Sequence, residues 1–266
     1  MPLPTARLPS LPDRPHWGWI EIDGHPCELF DPPDPLPGRA VIYLHGVRER
    51  TLRESVGLRT AVEQARLRAV APRAGRSWWL DRIVSDFDST ISPERFVVER
   101  VTAALGRRFA IAPPGIALVG TSMGGQGVLR IAYRHPAIFP IAAAIAPALD
   151  FHLAMRDVAT LADGDLFASL WPLFGEIERA RQETAILHVH PLNWPRHQWF
   201  ASDPTDRQWH DGACRLREKL TALGIPHVAI LDRIAGGHGT AYYDSVAADA
   251  IAFVRAALDA ESRRLV

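Results

Sequence analysis

The ten residues Ile116-Ala117-Leu118-Val119-Gly120-Thr121-Ser122-Met123-Gly124-Gly125 constrain the fold of this 266-residue chain more than any other stretch. A short apolar run ends in Gly-Thr-Ser-Met-Gly, and a helix-compatible segment, 126–135, follows at once. Strand, tight turn and helix in that order put a serine at the apex of a strained turn with its hydroxyl exposed. Gly120 and Gly124 flank the apex, where a Cβ would collide with the neighbouring strand or helix. The helix start aims free N–H groups and the positive end of its dipole at the serine, which favours a developing oxyanion. A tight structural turn is the alternative reading of G-x-S-x-G. Its place between a buried strand and a helix favours a nucleophile.

Around this stretch, apolar runs alternate with segments of helical spacing. Residues 17–30 read as one or two strands broken at Asp23-Gly24, and 40–44 as a continuous apolar strand of the kind buried on both faces of a parallel sheet. Helical spacing over 55–68 leads to a short strand at 69–72. A helix opens after Ser92, with Pro93 at its first position and Glu94 facing the dipole, and runs to about residue 108. Further strands are expected at 141–146, 198–201 and 227–231. Helices are expected at 210–223, stopped by Gly224, and at 242–258. The alternation predicts one α/β domain, 17–266, built on a doubly wound, mostly parallel sheet with helices on both faces. Residues 1–16 hold five prolines and are expected to form an extended or disordered arm. The segment 147–183, with Phe151, Phe167, Trp171 and Phe174, reads as irregular and partly helical, the place for a cap-like insertion.

Formal net charge is zero, which points away from a nucleic-acid or anionic-membrane partner. Lys219 is the only lysine. Arg48, Arg50 and Arg53 are interleaved with Glu49 and Glu54, the pattern of a solvated helix face. Cys27 and Cys214 leave a disulfide open but do not resemble a secreted scaffold. No apolar run reaches membrane length, and the Pro-rich start lacks the apolar core of a signal peptide, so a cytoplasmic protein is expected. Oligomeric state is not legible, and a homodimer is left open.

A nucleophilic serine needs a base and a carboxylate that orients it. In a strand–turn–helix context these follow in the order Ser, Asp or Glu, His. Ser122, Asp206 or Asp203, and His238 stand in that order. His238 lies in Gly-Gly-His-Gly after the last strand. Asp206 is favoured over Asp203 because it sits just before a helix, and Asp203-Pro204 suits a turn. The N–H groups of Met123 and Val47 are candidates for an oxyanion hole, with His45 in the loop rather than as a base. Trp78, Trp79 and Gln126 are candidates for the substrate pocket, the tryptophans equally for core anchors. His188-x-His190 lacks a third ligand, and no metal or cofactor is expected.

With these residues in place, the chain resembles the α/β-hydrolase fold and, within it, the Putative esterase (esterase D-like) family that includes S-formylglutathione hydrolases. The likeness rests on Tyr43-Leu44-His45-Gly46, on Ala71-Pro72-Arg73 with Ser77-Trp78, and on Gly120 to Gly127. It continues through residues 200–209 and the ending Gly237-His238 with Tyr242-Tyr243. The resemblance implies hydrolysis of carboxylic esters or thioesters through an acyl-serine, with Ser122, Asp206 and His238 at the triad positions, and small or medium esters are the expected substrates. Three features depart from S-formylglutathione hydrolases: Gln126 stands where they carry His, Arg and Glu follow His45-Gly46, and the spacing from His238 to the tyrosines is longer. Two other readings stay open: an acyltransferase using the same acyl-serine, and a hydrolase-fold protein that binds without turnover.

Overall fold

The computed structural model describes residues 15–157 and 164–264, so the expected arm lies almost wholly outside the described residues. Strands β1 (Trp17–Ile22) and β2 (His25–Phe30) form a hairpin through Asp23 and Gly24, both at positive φ, as its two-residue turn requires. They are followed by β3 (Ala40–Leu44), β4 (Arg68–Pro72), β5 (Ile116–Thr121), β6 (Ile141–Ile145), β7 (His197–Ala201) and β8 (Val228–Ile230). One sheet holds all eight in the order β1-β2-β4-β3-β5-β6-β7-β8. The pairs β1–β2 and β2–β4 are antiparallel, and every pair from β4–β3 onward is parallel.

Strands covered on both faces explain the unbroken apolar runs. Along β3, Ala40, Ile42 and Leu44 enter one core, and Val41 and Tyr43 enter the other. Along β5, Ile116 and Leu118 part from Ala117 and Val119 in the same way. The second core is closed by helix α1 (Val56–Ala65) and the long C-terminal helix α10 (Thr240–Arg264). The first is closed by α2 (Pro93–Arg95), which continues through a π-helical stretch, Phe96–Val101, into α3 (Thr102–Phe109), and by α4 (Met123–Arg134). Helix α9 (His210–Ala222) packs with Leu129 and Tyr133 of α4 in a third apolar cluster.

Ser92 caps α2 as expected, its Oγ accepting from the Arg95 N–H at 3.2 Å. Gly224 at φ 67° ends α9. Two expectations need correction. Residues 48–54 are not a helix face: Thr51 and Glu54 close a local turn by reciprocal backbone-to-side-chain bonds of 2.8 and 3.2 Å, and α1 starts only at Val56. The last helix also runs six residues past its expected end. Glu261, 1 % exposed, binds Arg196 and His197 and so fastens the final turns to the start of β7.

After β6 come four short helices, α5 (Phe151–Arg156), α6 (Gly164–Phe167), α7 (Leu170–Phe174) and α8 (Ile177–Gln182). Residues 158–163 of the segment expected as a cap lie outside the described residues. Cys27 and Cys214 are free thiols. Among the described residues no helix is long and apolar enough to cross a membrane.

Candidate active site

The order of the strands decides where a site can form. From β3 the chain crosses to β4 on one side, and β5 then enters on the other side of β3. Loops leaving the carboxyl ends of β3 and β5 therefore diverge, and a crevice opens between them. His45, Gly46 and Val47 leave β3 there, and Ser122 leaves β5.

Ser122 has φ 55° and ψ −118°, a left-handed strained conformation for a residue with a side chain. Its backbone is held on both sides: the N–H donates to the Ile145 carbonyl at 2.9 Å, and the carbonyl accepts from Gln126 at 3.0 Å and Ala148 at 3.1 Å. Gly124 allows the turn to seat, because a Cβ there would stand 1.9 Å from the Leu44 carbonyl oxygen. Strand, elbow and helix are thus pressed against β3 by backbone contact alone. Met123 is the first residue of α4, so its N–H has no acceptor within the helix and stands beside the serine.

The loop after β3 is equally fixed. Ala74 donates its N–H to His45 Nε2 at 3.1 Å, which leaves the proton on Nδ1, 2.9 Å from the Gly46 carbonyl. The Trp79 indole N–H closes on the His45 carbonyl at 3.1 Å. Burial pushes the His45 pKa down to about 4, so the ring stays neutral and serves as a brace. Gly46 packs directly on the elbow, where a Cβ would be 3.3 Å from that of Ser122.

Two further loops complete the arrangement. His238 follows β8 in a run of positive-φ glycines, Gly236, Gly237 and Gly239. Its Nε2 lies 2.9 Å from Ser122 Oγ, and its Nδ1 lies 2.8 Å from Asp206 Oδ2. The other Asp206 oxygen accepts from the N–H groups of Gln208 and Trp209. Asp203, in the same loop, does not reach the imidazole. It accepts from Thr205 N–H and Oγ1 and, 2.7 and 2.8 Å away, from the N–H groups of Ala235 and Gly237. Burial raises the Asp203 pKa, but these donors outweigh it and hold the carboxyl at about 2. Tyr243 meets His238 edge-on, ring centroids 5.6 Å apart, and its hydroxyl faces Ser122. That tyrosine was visible in the sequence only as part of a family ending.

Ser122, His238 and Asp206 are therefore brought together, with Met123 directly after the serine and Val47 directly after the glycine that packs on it, and three other expected residues are not. Trp78 and Trp79 have no exposed surface. Trp78 packs on Phe151 and Phe167, and Trp79 lies against Gly127 of α4, so both are core anchors rather than pocket walls. Gln126 is fully buried, with its amide spent on the backbone at Ala185 and Glu183. His188 and His190 gather no further ligand, and the described residues hold no group of three or more His, Cys, Asp or Glu suited to a metal.

The sequence model of the family described as "Putative esterase" matches residues 38–252. No curated protein matches the chain in sequence. Among solved structures, it is similar to an S-formylglutathione hydrolase from Agrobacterium tumefaciens, with 17% identity, 88% of this chain and 90% of that one covered, and a TM-score of 0.70. It is also similar to FphF, a fluorophosphonate-binding serine hydrolase of Staphylococcus aureus, with 14% identity, 90% and 98% coverage, and a TM-score of 0.71. EstE5, solved after soaking with p-nitrophenyl butyrate, gives 17% identity, 91% and 85% coverage, and a TM-score of 0.67. At these identities the likeness speaks for the fold.

Proposed function

Since the chain belongs to the Putative esterase family, and is on that ground a serine ester hydrolase, we propose that it cleaves small or medium carboxylic esters or thioesters through an acyl-serine at Ser122. His238 takes the Ser122 proton through Nε2 as Oγ attacks the carbonyl carbon, then returns it to the leaving alcohol or thiol. Asp206 keeps the other ring proton on Nδ1 and stabilises the imidazolium that forms. The N–H groups of Met123 and Val47 receive the negative oxygen of the tetrahedral intermediate, each worth on the order of 3 kcal/mol in the transition state. Water activated by the same imidazole then releases the acid. Neither donor must reorganise during the reaction, because the elbow and the loop after β3 are already braced against each other.

The observation that carries this reading is the unbroken relay Asp206 Oδ2, His238 Nδ1, His238 Nε2, Ser122 Oγ, with contacts of 2.8 and 2.9 Å. Stopped-flow hydrolysis of p-nitrophenyl acetate tests it. Wild type should release a burst of nitrophenol stoichiometric with enzyme, and Ser122→Ala should lack both burst and turnover. Turnover of acetyl and longer-chain esters that survives Ser122→Ala would overturn the nucleophile.

A further inference from the structure

Helix α10 begins beside the relay with two tyrosines, and only one of them is sealed in the core. Tyr242 has no exposed surface and packs in the second core with Val246 and Ala250. Tyr243 is half-buried and stands at the site. Its ring meets the His238 imidazole edge-on, centroids 5.6 Å apart and planes at 89°, and its hydroxyl faces Ser122. The helix start dictates this placement. His238 stands two residues before α10 and Tyr243 is its fourth residue, a pair of positions that fold against each other at a helix N-terminus. The Tyr243 N–H donates to the Gly239 carbonyl at 3.0 Å and closes that first turn.

The same turn is held from outside. Asp244 accepts the Gly57 N–H at 2.8 Å at the start of α1, and a Cβ on Gly57 would stand 2.7 Å from the Asp244 Cα. The loop that carries His238 is tied by Asp203 to Ala235 and Gly237. Tyr243 and His238 are therefore mounted on one braced unit, and Nε2 of that imidazole lies 2.9 Å from Ser122 Oγ. Burial pushes the Tyr243 phenol well above its ordinary pKa, against a contact with Ser122 that lowers it, so the hydroxyl stays a neutral donor. The relay makes no use of it. Ser122 Oγ gives its proton toward Nε2 and keeps two lone pairs that can accept.

We propose that Tyr243 is a further catalytic residue whose hydroxyl donates to Ser122 Oγ, holding that oxygen in line with His238 Nε2 and sharing the charge it gains during acyl transfer. This rests on the serine-esterase reading and adds a member to its site. In acylation the Ser122 proton passes to Nε2, and the electron pair left on Oγ forms the bond to the carbonyl carbon. In deacylation Oγ leaves with that pair and takes a proton back from Nε2. The phenol keeps its own proton in both steps. Its hydrogen bond strengthens whenever Oγ is fully bonded to neither proton nor carbon, where charge on the oxygen is greatest.

Stopped-flow hydrolysis of p-nitrophenyl acetate by Tyr243→Phe tests this, because phenylalanine keeps the edge contact with His238 and removes only the hydroxyl. Burst and steady-state rate constants should both fall about 30-fold, with KM within about twofold and the melting temperature within about 2 °C of wild type. Inactivation by an alkyl fluorophosphonate, which Oγ attacks at phosphorus with loss of fluoride, should slow by a similar factor. Tyr243→Leu should fall further, since the imidazole then loses its edge contact as well. Rates for Tyr243→Phe within about twofold of wild type, with Ser122→Ala inactive, would overturn the role of the hydroxyl alone. A loss confined to KM, or one that follows a fall in melting temperature, would overturn it too. Activity that survives Ser122→Ala would overturn the reading beneath it.

Discussion

Two aspartates in one loop, Asp203 and Asp206, carry different loads. Asp206 meets the imidazole that meets Ser122. Asp203 ties the backbone of Ala235 and Gly237, and so fixes the loop that carries His238. Asp206→Asn should lower kcat by about 10⁴ because the ring would settle in the wrong tautomer, with a melting temperature within about 2 °C of wild type. Asp203→Asn should act the other way round. Its amide nitrogen cannot accept, so one pair of N–H groups loses its partner at a cost on the order of 3 kcal/mol in stability, with a smaller loss of kcat. Calorimetry beside p-nitrophenyl acetate kinetics separates them, and a large kcat loss in Asp203→Asn at unchanged melting temperature would contradict this division. Ser122 and His238 were legible in the sequence because glycine signatures surround them, and the chain order supplied two acid candidates. Which carboxylate turns toward the ring depends on a loop conformation that spacing does not encode. Burial was equally invisible at Trp78, Trp79 and Gln126, since a tryptophan or glutamine reads the same in a wall as in a core.

Helix α4 starts directly after the nucleophile, and its far half is anchored by charge. Arg130, 1 % exposed, pairs with Glu94 of α2 and with Glu183 just past α8. Glu94, with no exposed surface, also accepts from Arg134 at 2.7 Å and faces His135 at 3.0 Å. Sequence reasoning placed Glu94 as a dipole partner in the first turn of a helix, which it is, but its main contact is this buried cluster between helices. Removing one member should hurt more than removing a pair, because the remaining ion is stranded away from water. Glu94→Gln should cost about 3–5 kcal/mol in denaturant unfolding, and Glu94→Gln/Arg130→Met clearly less than the sum of the two single changes. Additive losses would mean that the charges are solvated and independent. At this scale most strands and helices were legible from periodicity and caps. The short helices after β6 were not, because they are held by aromatic contacts such as Phe151 on Phe174 and Phe167 on Trp209 rather than by a regular pattern.

Across the whole molecule, the sheet brings His238 to a serine 116 residues earlier in the chain. The sequence showed that a parallel sheet would form, but not its order, because which strand lies beside which depends on crossover direction and on helices packing from afar. The same packing leaves histidines partly or fully buried in the folded state that would be solvated in the unfolded one, and this makes global stability depend on pH. His45, 3 % exposed, is held at about 4 by burial, and His188 at about 4 by burial and by the charges of Arg130 and Arg134. Both lie below the unfolded value of about 6.5, so between these limits the unfolded chain binds more protons. Their contribution is complete above pH 6.5 and is lost as pH falls toward 4, on the order of 3 kcal/mol for His45. Asp203, at about 2 when folded against about 3.8 unfolded, adds a second loss between those values. Protonated His45 could not accept from Ala74, and Glu49 and Arg73, the nearest charges, pull its pKa in opposite directions. Melting temperatures should therefore fall in two stages as pH is lowered from 7.5 to 2. His45→Gln should start lower at pH 7.5 yet fall less between 6.5 and 4, since a neutral amide has no proton to gain. Parallel curves for variant and wild type across that window would show that the brace beneath the oxyanion loop does not titrate, and the first stage would then have to come from His188, His135 and His152, whose pKa values burial also lowers.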